Sequence, residues 1–490
     1  MAAEANTSEN TPRIVILGAG MSGLCMAIGL KQSGITSFTI LEKASGIGGT
    51  WWDNTYPGAQ CDVRSHLYSY SFEPNPDWSR TYAPQAEIQS YMERCVHKYD
   101  LLPHIRFNSE LVEARFAADR GLWLLRTRDG EALSANIFVC SCGPLSEPRF
   151  PDIPGLEAFH GTLFHSSRWD HDYDFSGKRA AVIGNAASAV QLIPRIAPLT
   201  QKLFVFQRSA NWIVPRRDRA YKTWEKALFR VQLIGRAHRA FLYWLHEMNR
   251  LAFNQGSLLA KLATKAAENH LRKQIPDVKL REALRPDYPL GCKRILISND
   301  YYPTLMRPNV ELVTTPIERI LPDGIASSDG QVRRVDAIVC ATGFNAVRML
   351  SSVHIEGLAG CTLDSVWEHG PEAYHGVTVA GFPNFFLLLG PNTGQGHTST
   401  LLYIEAQVQY TIRCINELMQ RGQTYLSVRP EVMNRHNREL QAVLKNSVWA
   451  SGCGSWYKTK EGKVAAIHPG FSFQYVREMR EPRFEDYAFH

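Results

Sequence analysis

Ten cysteines in 490 residues are too few for a disulfide framework. They are scattered from Cys25 to Cys453, and the one close pair, Cys140 and Cys142, has neither redox nor zinc spacing. The spread predicts free thiols throughout. Charged residues make up only 21% of the chain against 44% hydrophobic, which excludes a disordered chain and a coiled coil and leaves a globular protein with a large core. No run approaches the roughly 18 apolar residues of a membrane span. Met1–Pro12 is polar and partly acidic, unlike a secretory leader, and the terminal Phe489-His490 is no lipidation or peroxisomal tag. Also absent are G-x-S-x-G, H-E-x-x-H and the P-loop, and the 16 histidines show no metal-ligand spacing. The excess of 54 bases over 47 acids, net charge +7, is too slight over this length to imply a nucleic-acid partner; it suits an anionic small molecule. These absences predict a cytoplasmic protein without metal.

What is present is a doubled β-α-β unit. RIVIL (Arg13–Leu17) runs into a glycine turn, a helix over 21–32 and a strand over 38–41. The pattern returns as a strand over 180–183, a turn over 184–189, a helix over 187–195 and a strand over 203–206. Each unit implies a parallel sheet. The fold class is therefore α/β with two Rossmann-like dinucleotide-binding domains. Pro148, Pro151 and Pro154 make an extended linker between them. From Tyr221 to Phe253, Trp224, Leu228, Val231, Ile234, Phe241 and Leu245 recur at helical spacing, with a break at Gly235. Lys222, Lys226, Arg230, Arg236, Arg239 and Arg250 form the other side of this insert. That side reads as a solvated helix face or, alternatively, as a surface touching anionic lipid.

In the first turn each glycine has a reason. Gly18 makes the tight bend, Gly20 admits a pyrophosphate against the backbone, and Gly23 lets helix meet strand. Free N–H groups at the helix start favour phosphate. Glu42 stands 24 residues after Gly18, where a carboxylate accepts from both ribose hydroxyls and repels a 2′-phosphate. The second turn, Gly184-Asn185-Ala186-Ala187-Ser188-Ala189, has alanine at the second and third glycine positions, which weakens it. At the same offset of 24, however, stands Arg208, a partner for a 2′-phosphate. The first site reads as FAD and the second as NADPH. The boundaries follow: 1–150 and 336–490 for the FAD domain, 151–220 and 285–335 for the NADPH domain, 221–284 for the helical insert.

Three further stretches narrow the reading. They are Gly48-Gly49-Thr50-Trp51-Trp52, continuing to Gln60-Cys61-Asp62; Phe159-x-Gly161-x-x-x-His165-x-x-x-Trp169-Asp170; and Gly390-Pro391-Asn392-Thr393-Gly394-Gln395-Gly396-His397. Together with Ala341-Thr342-Gly343-Phe344 they resemble the type I Baeyer–Villiger monooxygenases, and the third is similar to the flavin-side loop of the 4-hydroxyacetophenone monooxygenase subgroup. The resemblance implies oxygen insertion beside a ketone carbonyl, using NADPH and O2, through a flavin C4a-peroxide. It also implies roles. Ser22 and Glu42 hold FAD, Thr50, Trp51 and Trp52 line the flavin, Tyr68 sits near the isoalloxazine and Val112 near the adenine. Gln60, Cys61 and Asp62 face the nicotinamide. Gly184, Asn185, Ala186, Ala187, Ser188, Gln191, Arg208, Ser209, Lys293 and Trp456 hold NADPH. Arg294 is the cation over the flavin, with Asp62 as its anion. Two rival readings remain open at this stage: a heteroatom oxygenase attacking nitrogen or sulfur, which the fingerprint from Phe159 to Asp170 disfavours, and a flavin-binding protein without turnover.

Overall fold

The computed structural model describes residues 12–254, 256–346 and 349–490; the polar stretch over 1–12 lies, except for Pro12, outside them. The first unit comprises strand β1 (Ile14–Leu17), helix α1 (Met21–Gln32) and strand β2 (Phe38–Leu41). Helix α2 (Thr50–Asp53) and strands β3 (Ile105–Arg106), β4 (Leu111–Ala117) and β5 (Ile137–Cys140) follow. The second unit holds β6 (Thr162–His165), β7 (Arg179–Ile183), α3 (Ala187–Ile196) and β8 (Lys202–Phe206). Helices α4 (Thr223–Arg230), α5 (Gln232–Met248) and α6 (Leu258–Gln274) form the insert. Strands β9 (Val310–Val313), β10 (Ala337–Cys340) and β11 (Phe385–Leu387) and helix α7 (Thr400–Gln420) complete the frame.

Two five-stranded sheets result, ordered β11–β5–β1–β2–β3 and β9–β8–β7–β10–β6. All neighbours in both are parallel. All four side chains of β1 and of β10 are buried, as expected of strands covered on both faces. Among the described residues no helix is long and apolar enough to cross a membrane.

Three expectations are corrected. The sequence reading places 336–490 with the first sheet, but β10 pairs with β7 and β6 in the second, Val339 standing beside Val182 and Phe164. Its Ala-Ile-Val-Cys run would suit a central strand of either sheet, so composition cannot assign it. The insert breaks at Val231 (φ −72, ψ 109), not at Gly235, which lies inside α5. A Cβ on Gly235 would sit 2.8 Å from the Phe229 carbonyl oxygen, so glycine serves the close turn of α4 into α5. Finally, Cys292 and Cys453 are not free thiols but bonded to each other. Phe253, Cys292, Trp449 and Tyr457 share one core cluster, and this packing returns the C-terminal segment to a cysteine 161 residues earlier.

The first turn is as tight as its glycines imply. Gly18 has φ +100, and a Cβ on Gly23 would lie 1.9 Å from the Gly18 carbonyl oxygen. Gly23→Ala is expected to cost about 1–3 kcal/mol of overpacking and to lower bound flavin, read as thermal midpoint and flavin-to-protein absorbance. An unchanged flavin content and midpoint would contradict this packing.

Candidate active site

On the first sheet, Glu42 directly follows β2 with both oxygens engaged: Ala19 N–H donates to Oε2 at 2.7 Å and Ala44 N–H to Oε1 at 2.8 Å. Burial pushes its carboxyl up, against the pull of these two N–H groups. Each oxygen keeps a second lone pair, the chemistry a ribose diol needs. Ser109 N–H donates to the Glu42 carbonyl at 2.9 Å, bringing the start of β4, and half-buried Val112, to this edge. Ser22 donates to the Ser141 carbonyl at 3.4 Å, beside the turn. A Cβ on Gly20 would sit 3.7 Å from Gly49 Cα, so the glycine turn and the start of α2 face each other. Thr50 opens α2, Trp51 Nε1 donates to the Tyr68 hydroxyl at 3.0 Å, and Trp52 is the exposed member of the pair. Around the loop after β11, Asn392 Oδ1, Gln395 Oε1 and Thr398 Oγ1 are buried without a partner in the protein. Buried acceptors left unpaired are costly, and a polar ring edge would satisfy them. These residues fit FAD.

On the second sheet, Gly184 has φ +113, and its Cβ would meet the Ala341 carbonyl oxygen at 2.4 Å. Ala186 precedes α3, Ala187 begins it, and Ala189 is fully buried, so this turn accommodates the methyl that the first turn excludes. Asn185 Nδ2 donates to Gln207 Oε1 and to the Ser209 carbonyl, both at 2.9 Å, tying the turn to the end of β8. Lys293 Nζ donates to the Ser209 hydroxyl at 2.8 Å. Burial, and then the like charge of Arg208, hold the Lys293 ammonium below its ordinary pKa. Arg208 is exposed and makes no ion pair among the described residues. Two cations and a hydroxyl thus gather where a 2′-phosphate would neutralise them, so these residues fit NADPH. Trp456 is exposed and leans on Tyr457, and among the described residues it makes no hydrogen bond to this group.

Between the sheets, Arg294 meets Asp62. Its Nε and Nη2 donate to Asp62 Oδ2 at 2.9 and 2.5 Å. Asp62's charge raises the guanidinium pKa further above its ordinary value. The side chains remain 38% and 26% exposed, so the pair is open to an incoming group. Buried Tyr457 adjoins Arg294, its phenol pushed up to about 12 by burial. Consecutive residues thus diverge: Lys293 turns to Ser209, Arg294 to Asp62.

The seam has further clasps. Gln191 on α3 accepts from the Tyr56 hydroxyl at 2.9 Å and exchanges bonds with the Gln60 backbone, whose N–H donates at 3.3 Å and whose carbonyl accepts at 3.0 Å. The Cys61 carbonyl accepts from buried Arg216 at 3.2 Å. His165 is fully buried; Ser167 N–H donates to Nδ1 at 3.1 Å, so the proton sits on Nε2 and is donated to the Gly343 carbonyl at 3.0 Å. That carbonyl also accepts from Arg149 N–H at 2.9 Å, so His165 pins the two linkers where they run together. Sequence reasoning misses Arg168, paired with Asp53 of α2 at 2.7 Å, and His171, bonded to the Thr55 hydroxyl at 2.8 Å. They stand inside or beside the fingerprint, which was the available signal. Arg216 gives none, since Arg216-Arg217-Asp218-Arg219 reads as a surface run.

A family model described as flavin-binding monooxygenase-like matches residues 11–284. The chain is 41% identical to a Baeyer–Villiger monooxygenase of Streptomyces coelicolor, over 97% of this chain and 92% of that one. It is 43% identical to a Baeyer–Villiger monooxygenase of Pseudomonas aeruginosa, over 98% and 91%. The chain belongs to the Baeyer–Villiger monooxygenase family. Its structure is similar to that of OTEMO in complex with FAD and NADP, with TM-score 0.89 and 28% identity over 98% of this chain and 100% of that one. Membership of this family favours ketone oxygenation over the nitrogen and sulfur chemistry of the rival reading.

Proposed function

We infer that the chain is an FAD-dependent, NADPH-using monooxygenase that inserts one atom of O2 beside a ketone carbonyl, giving an ester or lactone. The observation that carries the reading is the Arg294–Asp62 pair, made by residues 232 apart and flanked by the Lys293–Ser209 contact. When bound, the two cofactors supply the hydride, the electron relay and the activation of oxygen. The protein's own residues bind, orient and shield. Glu42 and the first turn hold the adenosine end of FAD; Arg208, Ser209 and Lys293 hold the 2′-phosphate of NADPH. Attack at the ketone carbon pushes negative charge onto the carbonyl oxygen. Arg294, protonated at any working pH, offers the donors that stabilise it. Asp62 orients the guanidinium. Residues 151–220 and 285–340 form the NADPH side, 221–284 the insert, and 1–150 and 341–490 the FAD side. Yellow purified protein that consumes NADPH only when a ketone is added, with a product heavier by one oxygen atom, is the expected result; NADPH consumption indifferent to ketone, with no such product, would contradict it.

His165 has a positioning role. His165→Ala is expected to keep FAD and the fold yet release more hydrogen peroxide per NADPH, because loosened linkers let water reach the site. Burial keeps the imidazole below its ordinary pKa. Its neutral form therefore stabilises the fold above the unfolded value of about 6.5, and that stability is lost as pH falls below it. A variant with a lowered thermal midpoint but normal coupling would leave His165 a purely structural residue.

A further inference from the structure

The insert is inverted relative to an ordinary amphipathic helix pair. The inner face of α5 is largely polar: beside buried Leu242, Arg239 donates to the His66 carbonyl at 2.6 Å, His246 contacts the His397 carbonyl at 3.0 Å, and Glu247 accepts from Ser472 at 2.5 Å. The outer face is apolar. Trp224, Leu233, Phe241, Trp244, Met248 and Leu258 are each 55% to 78% exposed. Along α5 these fall at 233, 241, 244 and 248, one stripe of a helix. So the polar side, expected to face water, turns inward at Arg239, and the apolar side meets solvent. Contiguous exposed apolar surface of this kind marks an interaction site.

The charges identify the partner. Residues 221–265 carry eight bases and two acids. Both acids, Glu225 and Glu247, are buried. Glu225 is paired with Arg219, and Asp77 of another segment pairs with Arg230. Arg236, Lys261 and Lys265 stay exposed. Exposed bases in the same insert as an apolar stripe bearing tryptophan and phenylalanine are what an anionic lipid interface takes up. A second copy fits less well: an isologous contact would set these bases against themselves, since both acids within 221–265 are buried and Glu268, further along α6, is already paired with Arg285. We propose that the outer face of α4, α5 and the start of α6 docks the enzyme on an anionic membrane surface. No described helix can cross a bilayer, so the contact is interfacial.

The test is co-sedimentation of the FAD-loaded enzyme with vesicles of equal parts phosphatidylcholine and phosphatidylserine, and with phosphatidylcholine alone. Each base near an anionic leaflet contributes about fivefold, so binding to the mixed vesicles should exceed binding to the neutral ones by at least about 10-fold and fall with added salt. Phe241→Glu/Trp244→Glu removes two exposed rings, each worth roughly 10-fold or more; it should lose vesicle binding and keep ketone turnover. Arg236→Glu/Lys261→Glu should abolish the preference for phosphatidylserine, and it tests the proposal if the first variant fails to fold. Wild-type enzyme that ignores both vesicle types, or binding undiminished in the variants, overturns the proposal. So does a concentration-dependent dimer that the Phe241→Glu/Trp244→Glu variant breaks up in the absence of vesicle binding, which would give the face to a second copy.

Discussion

Arg294→Ala is expected to retain bound FAD and to lose ketone oxygenation by at least about 10²-fold, the usual cost of removing one group that stabilises a developing oxyanion. Flavin should be retained because the residues proposed for its adenosine end, Glu42 and the glycine turn, lie elsewhere. Among the described residues only Asp62 forms an ion pair with the guanidinium, through two bonds to one oxygen. Asp62→Ala should therefore act more mildly, through a misplaced Arg294. The losses should not add in the double variant, since both disturb one unit. Arg294→Lys should recover little, because a lysine lacks the planar fork that meets Asp62 and still presents donors to the substrate. Rapid-mixing measurement of ester yield, alongside flavin content, reads all four variants. Ester formation at near wild-type rate in Arg294→Ala would assign the charge to another group.

NADPH should outperform NADH by at least about 10-fold in kcat/KM. A well-made charge-assisted contact is worth roughly 1.5–3 kcal/mol, and Arg208 and Lys293 supply two. Arg208 is exposed and screened, so its share belongs at the low end. Lys293, partly buried and bonded to Ser209, should carry more. The double variant Arg208→Ala/Lys293→Ala should use both coenzymes nearly equally. The preference should also weaken below about pH 6, where the phosphate dianion takes up a proton and loses charge. Steady-state kinetics with both coenzymes checks this; equal use by the wild-type enzyme would remove the assignment.

Much of this site is legible in the sequence because backbone geometry dictates residue type. Gly18 and Gly184 sit at positive φ against carbonyl groups that a Cβ would crowd, and Glu42 and Arg208 follow at fixed offsets because strand and helix lengths repeat. The Lys293–Arg294 step is legible only through the family resemblance; no local pattern announces that neighbours turn to different partners, Ser209 and Asp62. What could not be read depends on tertiary contact. Strand β10 is apolar enough for either sheet, and only hydrogen-bond pairing decides. Cys292 and Cys453 meet because the C-terminal segment folds back, which spacing does not encode. Arg168 and Arg216 look like surface charge until Asp53 and the Cys61 carbonyl are placed beside them. The insert was legible in period but not in orientation, since an amphipathic pattern gives two faces without saying which turns inward.

The most direct test is an oxygen-isotope experiment on the wild-type enzyme. With NADPH, a panel of linear, cyclic and aryl ketones and ¹⁸O-labelled O2, at least one ketone should give an ester or lactone carrying a single labelled oxygen, and Arg294→Ala should give almost none. Ketones returned unchanged while an amine or sulfide takes up the labelled atom would contradict the assignment of this site to ketone oxygenation.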